Sequence, residues 1–140
     1  EIYTSLFVGS VRCVIRDRPC PMSETRIRGY HAHVYFDAGS LAQARALCAA
    51  AAERFALKMG RMHEKTVGPH PQWSCQLAMH AELFGEVIPW LMLNRGELVV
   101  LVHPITGNDL IDHRDHAFWL GAPQPLDLSV LAGGPLTFEL

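Results

Sequence analysis

The sequence predicts one α+β domain with its elements in the order βαββαβ. Three observations support this: β-rich alternation and helical periodicity succeed one another in that order, glycine or proline punctuates the junctions, and 140 residues suffice for one core rather than two. Hydrophobic residues make up 49% of the chain and charged residues 19%, a globular balance.

The first strand is read in Tyr30-His31-Ala32-His33-Val34-Tyr35-Phe36, which is aromatic, β-rich and alternating. A helix over about residues 40–56 follows. Ser40 and Gln43 have capping-box spacing, and Leu41, Ala44, Leu47, Ala51 and Phe55 recur at helical intervals. Leu57 to Val67 alternates as a strand, until Gly68-Pro69-His70-Pro71 turns the chain out of the sheet because prolines cannot donate ladder hydrogen bonds. Trp73 to Met79 forms the returning arm.

His80 to Arg95 carries Leu83, Phe84, Val87, Ile88 and Leu91 on one helical face, with Gly96 placed for a left-handed C-cap. Pro89 predicts a kink or two short helices there, since an interior proline costs about 3 kcal/mol. Leu98 to Val102 is an unbroken apolar run, as a strand covered on both faces requires, and it ends at His103-Pro104. Residues 105–140 are expected to form a C-terminal extension of loops with a short extra strand. Two split βαβ units with right-handed crossovers interleave into an antiparallel sheet of order 4-1-3-2, the ferredoxin-like arrangement.

Residues 1–28 read as an extension, disordered or artefactual, ahead of a domain over 29–140, with Met22 a candidate start. Their positive charges lie within and after the apolar part, unlike those of an export signal. The apolar run Val87–Leu93 is broken by Pro89 and too short to span a membrane. A net charge of −2 offers no basic surface for nucleic acid. The four cysteines Cys13, Cys20, Cys48 and Cys75 lack CxxC spacing and read as free thiols in a reducing cytoplasm.

Eight histidines are the compositional anomaly. Alternate residues of a strand share a face, so His31, His33 and Tyr35 lie on one side and Ala32, Val34 and Phe36 on the other. The apolar set suits the helix-covered side, which leaves the histidines on the open face. In the order 4-1-3-2 the end of strand four lies beside the start of strand one, so His103 approaches His31 and His33. Three imidazoles are suitable ligands for Fe, Zn, Cu or Ni, with coordination positions to spare. The same HxH pattern also occurs on half-exposed sheets without metal.

His70, held between two prolines, reads as a fourth imidazole, an acid/base group or a solvated turn residue. His113 and His116, flanked by Asp112 and Asp115, could supply an oriented ring or the carboxylate of a two-His-one-carboxylate site, or form a charged turn. His63, near the presumed edge strand, takes a supporting role or none, and His80 is a helix-entry residue.

Tyr30-His31-Ala32-His33-Val34-Tyr35-Phe36-Asp37, Gly68-Pro69-His70-Pro71, Trp90-Leu91 with Asn94-Arg95, and Val102-His103-Pro104 followed by Thr106-Gly107 and Asp112-His113 together resemble the DOPA 4,5-dioxygenase family. The resemblance covers about residues 29–121 and departs from the family's pattern at Thr66, where proline is expected. It implies extradiol opening of a catechol, L-DOPA or a related compound, by O₂ at Fe(II), with Zn or another divalent ion able to replace iron in a purified sample. His31, His33 and His103 are then the expected metal ligands, and His70 and His113 the expected catalytic acid/base residues. Two other functions fit the same residues: a non-catalytic metal or small-molecule binding protein, and a homodimer paired through the open sheet face.

Overall fold

A computed structural model describes residue 22 and residues 25–131. The expectation for residues 1–28 therefore lies largely outside the described residues, as do Cys13 and Cys20. Strand β1 (Gly29–Phe36), helix α1 (Leu41–Phe55), strands β2 (Lys58–Met59) and β3 (Trp73–His80), helix α2 (Phe84–Asn94), strand β4 (Val100–Ile105), helix α3 (Asp109–Arg114) and strand β5 (Phe118–Leu120) follow in order. Single 3₁₀ turns occupy Ala81–Leu83 and Leu128–Val130. No helix among the described residues is long and apolar enough to cross a membrane.

The strands form one antiparallel sheet of order β2-β3-β1-β4-β5. This departs from the four-strand expectation by its fifth strand: β5 lies outside β4, while β4, β1, β3 and β2 are consecutive in the remainder. Strand alternation divides the chemistry between the two faces. Ala32, Val34 and Phe36 of β1, Val100 and Val102 of β4, and Cys75, Leu77 and Met79 of β3 pack in one core cluster with Ala44, Leu47, Cys48 and Ala51 of α1 and Val87, Ile88 and Leu91 of α2. His31 and His33 point to the opposite face.

Four local expectations are corrected. Only Lys58–Met59 of the expected 57–67 strand pairs regularly, and His63 returns as an isolated bridge to Ser74. Between the Met59↔Leu77 and His63↔Ser74 pairs the chain advances four residues (59 to 63) against three (77 to 74), so the extra residue makes a bulge.

Strand β4 does not stop at His103 but continues through Pro104 to Ile105. The Ile105 carbonyl accepts from Arg28 N–H at 3.0 Å, so Ile105 faces β1 and Pro104 must face away. There β5, which pairs only with Val100 to Val102, has already ended, and no donor is missed.

Ser40 does not form a capping box; its hydroxyl accepts from Asp37 N–H at 3.0 Å, while Asp37 Oδ1 accepts from Ser40 N–H at 3.0 Å. The reciprocal pairing falls one step earlier, in the turn that leaves β1. Pro89 lies inside a continuous α2, where it removes one hydrogen bond without dividing the helix. Gly96 takes the left-handed conformation expected of it, with φ 58°.

Helix α1 ends less comfortably on Ala56, at φ 54° and ψ 43°, with Leu57 N–H donating to the Ala52 carbonyl at 3.0 Å. A Cβ is strained in this conformation and glycine is not. Ala56→Gly should therefore stabilise the fold by about 0.5–1 kcal/mol, offset in part by glycine's unfolded-state entropy. Thermal unfolding should show a rise of roughly 2–3 °C; a fall would remove strain at Ala56 as a feature of this helix end.

Candidate metal centre

Register places the first candidate ligands. His31 stands directly opposite His103 in the β1–β4 pair, and His33 is two residues further along β1 on the same face. The His33 and His103 Nε2 atoms are 3.1 Å apart, and each ring is buried. The expected convergence of His31, His33 and His103 thus occurs, with their ligand atoms within 4.8 Å of one another.

His70 arrives from the loop between β2 and β3. Its N–H donates to the Val67 carbonyl at 3.2 Å, and Asp127 N–H donates to the Pro69 carbonyl at 2.9 Å, which ties the proline-flanked turn to the C-terminal segment. The buried ring lies with its centroid 4.1 Å from that of His33, and its Nδ1 is 2.7 Å from the Tyr35 hydroxyl. His113 comes from α3, and its ring centroid is 3.9 Å from that of His103. His33, His70 and His113 form a second group with ligand atoms within 4.8 Å, so the two triads share His33. Among the described residues both groups are all-histidine, and no carboxylate joins either.

Outer partners orient these rings. His103 Nδ1 donates to the Pro104 carbonyl at 2.9 Å, and His113 Nδ1 donates to the Asp109 carbonyl at 2.8 Å with Asp109 Oδ1 at 3.1 Å. A proton held on Nδ1 leaves Nε2 as a lone-pair donor, the usual arrangement of a ligating imidazole. With His103 Nε2 thus an acceptor, the 3.1 Å contact is donated by His33 Nε2–H in the metal-free chain. Two imidazole nitrogens bound at right angles to one ion at about 2.1 Å would stand about 3.0 Å apart, so little movement separates this contact from a coordinated pair. The donor set fits a divalent ion of the Fe, Zn, Cu or Ni kind.

Several details were not legible in the sequence. Asp112 and Asp115 do not orient His113; Asp109, one helical turn before it, does. Asp112, 1% exposed, instead accepts from Thr106 N–H at 2.9 Å and from the Thr106 hydroxyl, which clamps α3 against the end of β4. Asp115 pairs with Arg114 on the surface. His116 lies 3.7 Å from Asp112 and outside both triads, as do His63 and the exposed His80. Tyr35, which alternation puts on the histidine face without assigning it a role, is the partner of His70, with Trp119 edge-on at 5.7 Å between ring centroids.

Burial is the main force that holds His33, His70 and His103 neutral. Desolvation, then the neighbouring rings, pushes His33 and His103 well below the ordinary histidine range, and desolvation followed by His113 and His63 pulls His70 down to about 4. An unfolded histidine protonates near 6.5, so between about pH 4 and 6.5 the unfolded chain binds more protons than the folded one. Stability of the metal-free protein must then rise with pH through this window and fall as pH drops. His70 alone accounts for on the order of 3 kcal/mol between neutral pH and pH 4. Urea midpoints measured in chelator should fall steadily from pH 7 to 4; a flat profile would contradict neutral buried imidazoles.

Comparison with known proteins agrees with the geometry. The chain is 32% identical over 117 residues to a protein named DOPA 4,5-dioxygenase from Amanita muscaria, covering 77% of this chain and 51% of that one. It is 43% identical over 83 residues to an uncharacterized 21.2 kDa protein of Botryotinia fuckeliana, covering 54% and 45%. The chain thus spans about half the length of these curated relatives. A crystal structure from Nostoc punctiforme, described as a candidate dioxygenase, superposes with TM-score 0.68 at 40% identity, covering 79% of this chain and 96% of that one. The family model of the Dopa 4,5-dioxygenase family matches residues 30–130, a span that contains all five converging histidines, and the chain belongs to that family.

Proposed function

We propose that this protein is an extradiol dioxygenase that opens a catechol ring, of L-DOPA or a related compound, with O₂ at a histidine-held Fe(II). The observation that carries the reading is the convergence of His31, His33 and His103 from two paired strands, with His70 and His113 against the same cluster. His31, His33 and His103 would hold the ion, which when bound supplies open positions for the two catechol oxygens and for O₂.

The chain's own groups would then manage protons. His70 is joined at Nδ1 to a hydroxyl that can donate or accept, so its Nε2 can face the cluster either as a lone pair or as N–H without loss of the Tyr35 bond. Such a ring can take a proton from a catechol hydroxyl at Nε2 and later return it. His113, with Nδ1 donated to Asp109, presents Nε2 as a second acceptor. The sheet lies beneath this group, and Trp119 stands edge-on beside Tyr35.

The test is anaerobic reconstitution with Fe(II), then a panel of catechols with O₂ uptake and yellow ring-cleavage absorbance as readouts. Uptake stoichiometric with product is expected. Tight Fe(II) binding with no uptake across the panel would overturn catalysis and leave the alternative of a metal-binding protein on this fold.

A further inference from the structure

On the helix-covered side of the sheet, away from the five clustered histidines, a half-open cavity of about 330 Å³ lies at the end of β1 and β4. Tyr30 lies next to His31 in β1 and so points to the opposite face, and Phe118 pairs with Val102, a residue of the core cluster. The walls are aromatic: the Tyr30 and Phe84 ring centroids are 4.5 Å apart, and those of Phe84 and Phe118 6.1 Å, tilted by 68°. His116 and Thr106 supply the polar side.

A second cavity of about 600 Å³ adjoins it and shares Thr25, Ile27 and Thr106. Arg26 and Arg28 line that mouth, against a single acid, Glu82. The Arg28 backbone is held in place, because its N–H extends the ladder to the Ile105 carbonyl at 3.0 Å. An aromatic pit beside a rim of two guanidinium groups is complementary to a flat ring that carries an anion, and the arginine fork matches a carboxylate in two parallel hydrogen bonds. A dry cavity of about 150 Å³ accepts benzene, so 330 Å³ leaves room for a ring and a short side chain.

We propose that this cavity is a binding site for an aromatic carboxylate, with its ring among Tyr30, Phe84 and Phe118 and its carboxylate toward Arg26 and Arg28. The site shares no side chain with the metal centre and stands whether or not that centre opens catechols.

Calorimetric titration of the full chain with 3-phenylpropionate and with 3-phenylpropan-1-ol, in chelator, tests it. The acid should bind at least tenfold more tightly than the alcohol. The Arg26→Gln/Arg28→Gln variant should bring the acid to the alcohol's affinity, and the acid should perturb the ring resonances of Tyr30, Phe84 and Phe118. Equal affinity for acid and alcohol, perturbations confined to the histidine cluster, or no saturable binding because the chain's own first residues fill the cavity would each overturn the assignment.

Discussion

His33→Ala is expected to abolish the proposed ring cleavage and to weaken divalent-metal binding by at least about 100-fold. Loss of an outer partner of a ligand costs 10–100-fold, and loss of a ligand costs more. His33 is the critical residue because it belongs to both triads, so neither retains three imidazoles without it. Its ring contributes nothing to the packing beneath the helices, where Ala32 and Val34 make the contacts. The metal-free variant should therefore fold, with a far-ultraviolet spectrum and unfolding cooperativity close to those of the parent. His80→Ala, at the exposed end of β3, should leave both metal affinity and turnover unchanged. Anaerobic Fe(II) titration, or competition for Zn(II) with a chromophoric chelator, measures the difference. Near-parental metal affinity in the alanine variant would remove His33 as a ligand and with it the shared-triad geometry.

Asp112→Ala should produce the second large effect, this time on stability as well as chemistry. The carboxylate is 1% exposed and holds both the N–H and the hydroxyl of Thr106, the residue that follows β4. Hydrogen bonds to a charged acceptor are worth about 1.5–3 kcal/mol each, and truncation leaves a donor without its partner, so a net loss of about 2–4 kcal/mol is expected. For a chain of this size the loss corresponds to a fall in midpoint of roughly 5–15 °C. Because α3 has only six residues and carries His113, a released helix should also move that ring from its place 3.9 Å from His103. Asp112→Asn keeps one acceptor and should fall between the two in stability. If the alanine variant unfolded at the parental temperature, the clamp would carry no energy.

Much of the site was legible because it lies on strands. Alternation assigned His31, His33 and Tyr35 to one face of β1, and the strand neighbours brought His103 opposite His31. Local reading stopped where tertiary contacts decide. The direction of the His70 ring depends on Pro69 being tied to Asp127, a contact 58 residues away in the chain (127 minus 69). The orientation of His113 by Asp109 required knowing that α3 is a helix from Asp109 onward, which turns an i, i+4 pair into neighbours; the adjacent Asp112 was the more obvious candidate. Locally Pro104 reads as a strand stop, because its missing donor matters only if something pairs on that side, and nothing in the local sequence says that β5 ends two residues short. The Ser40 cap failed for a related reason: Asp37, at the end of β1, competes for the hydroxyl.

The alternation of β1 carries two independent texts in interleaved letters, one for the core and one for the cluster. A one-residue insertion or deletion within Tyr30–Phe36 would exchange their readers: imidazoles would be driven under α1 and α2, and Val34 and Phe36 would be delivered to the open face. Point substitution can revise either text alone, so the open face of this strand can change without touching the packing beneath it. Length, by contrast, is frozen. Natural variants of this strand should therefore keep the number of residues between Gly29 and Phe36, because a change in count would displace His31 and His33 together with the core residues between them.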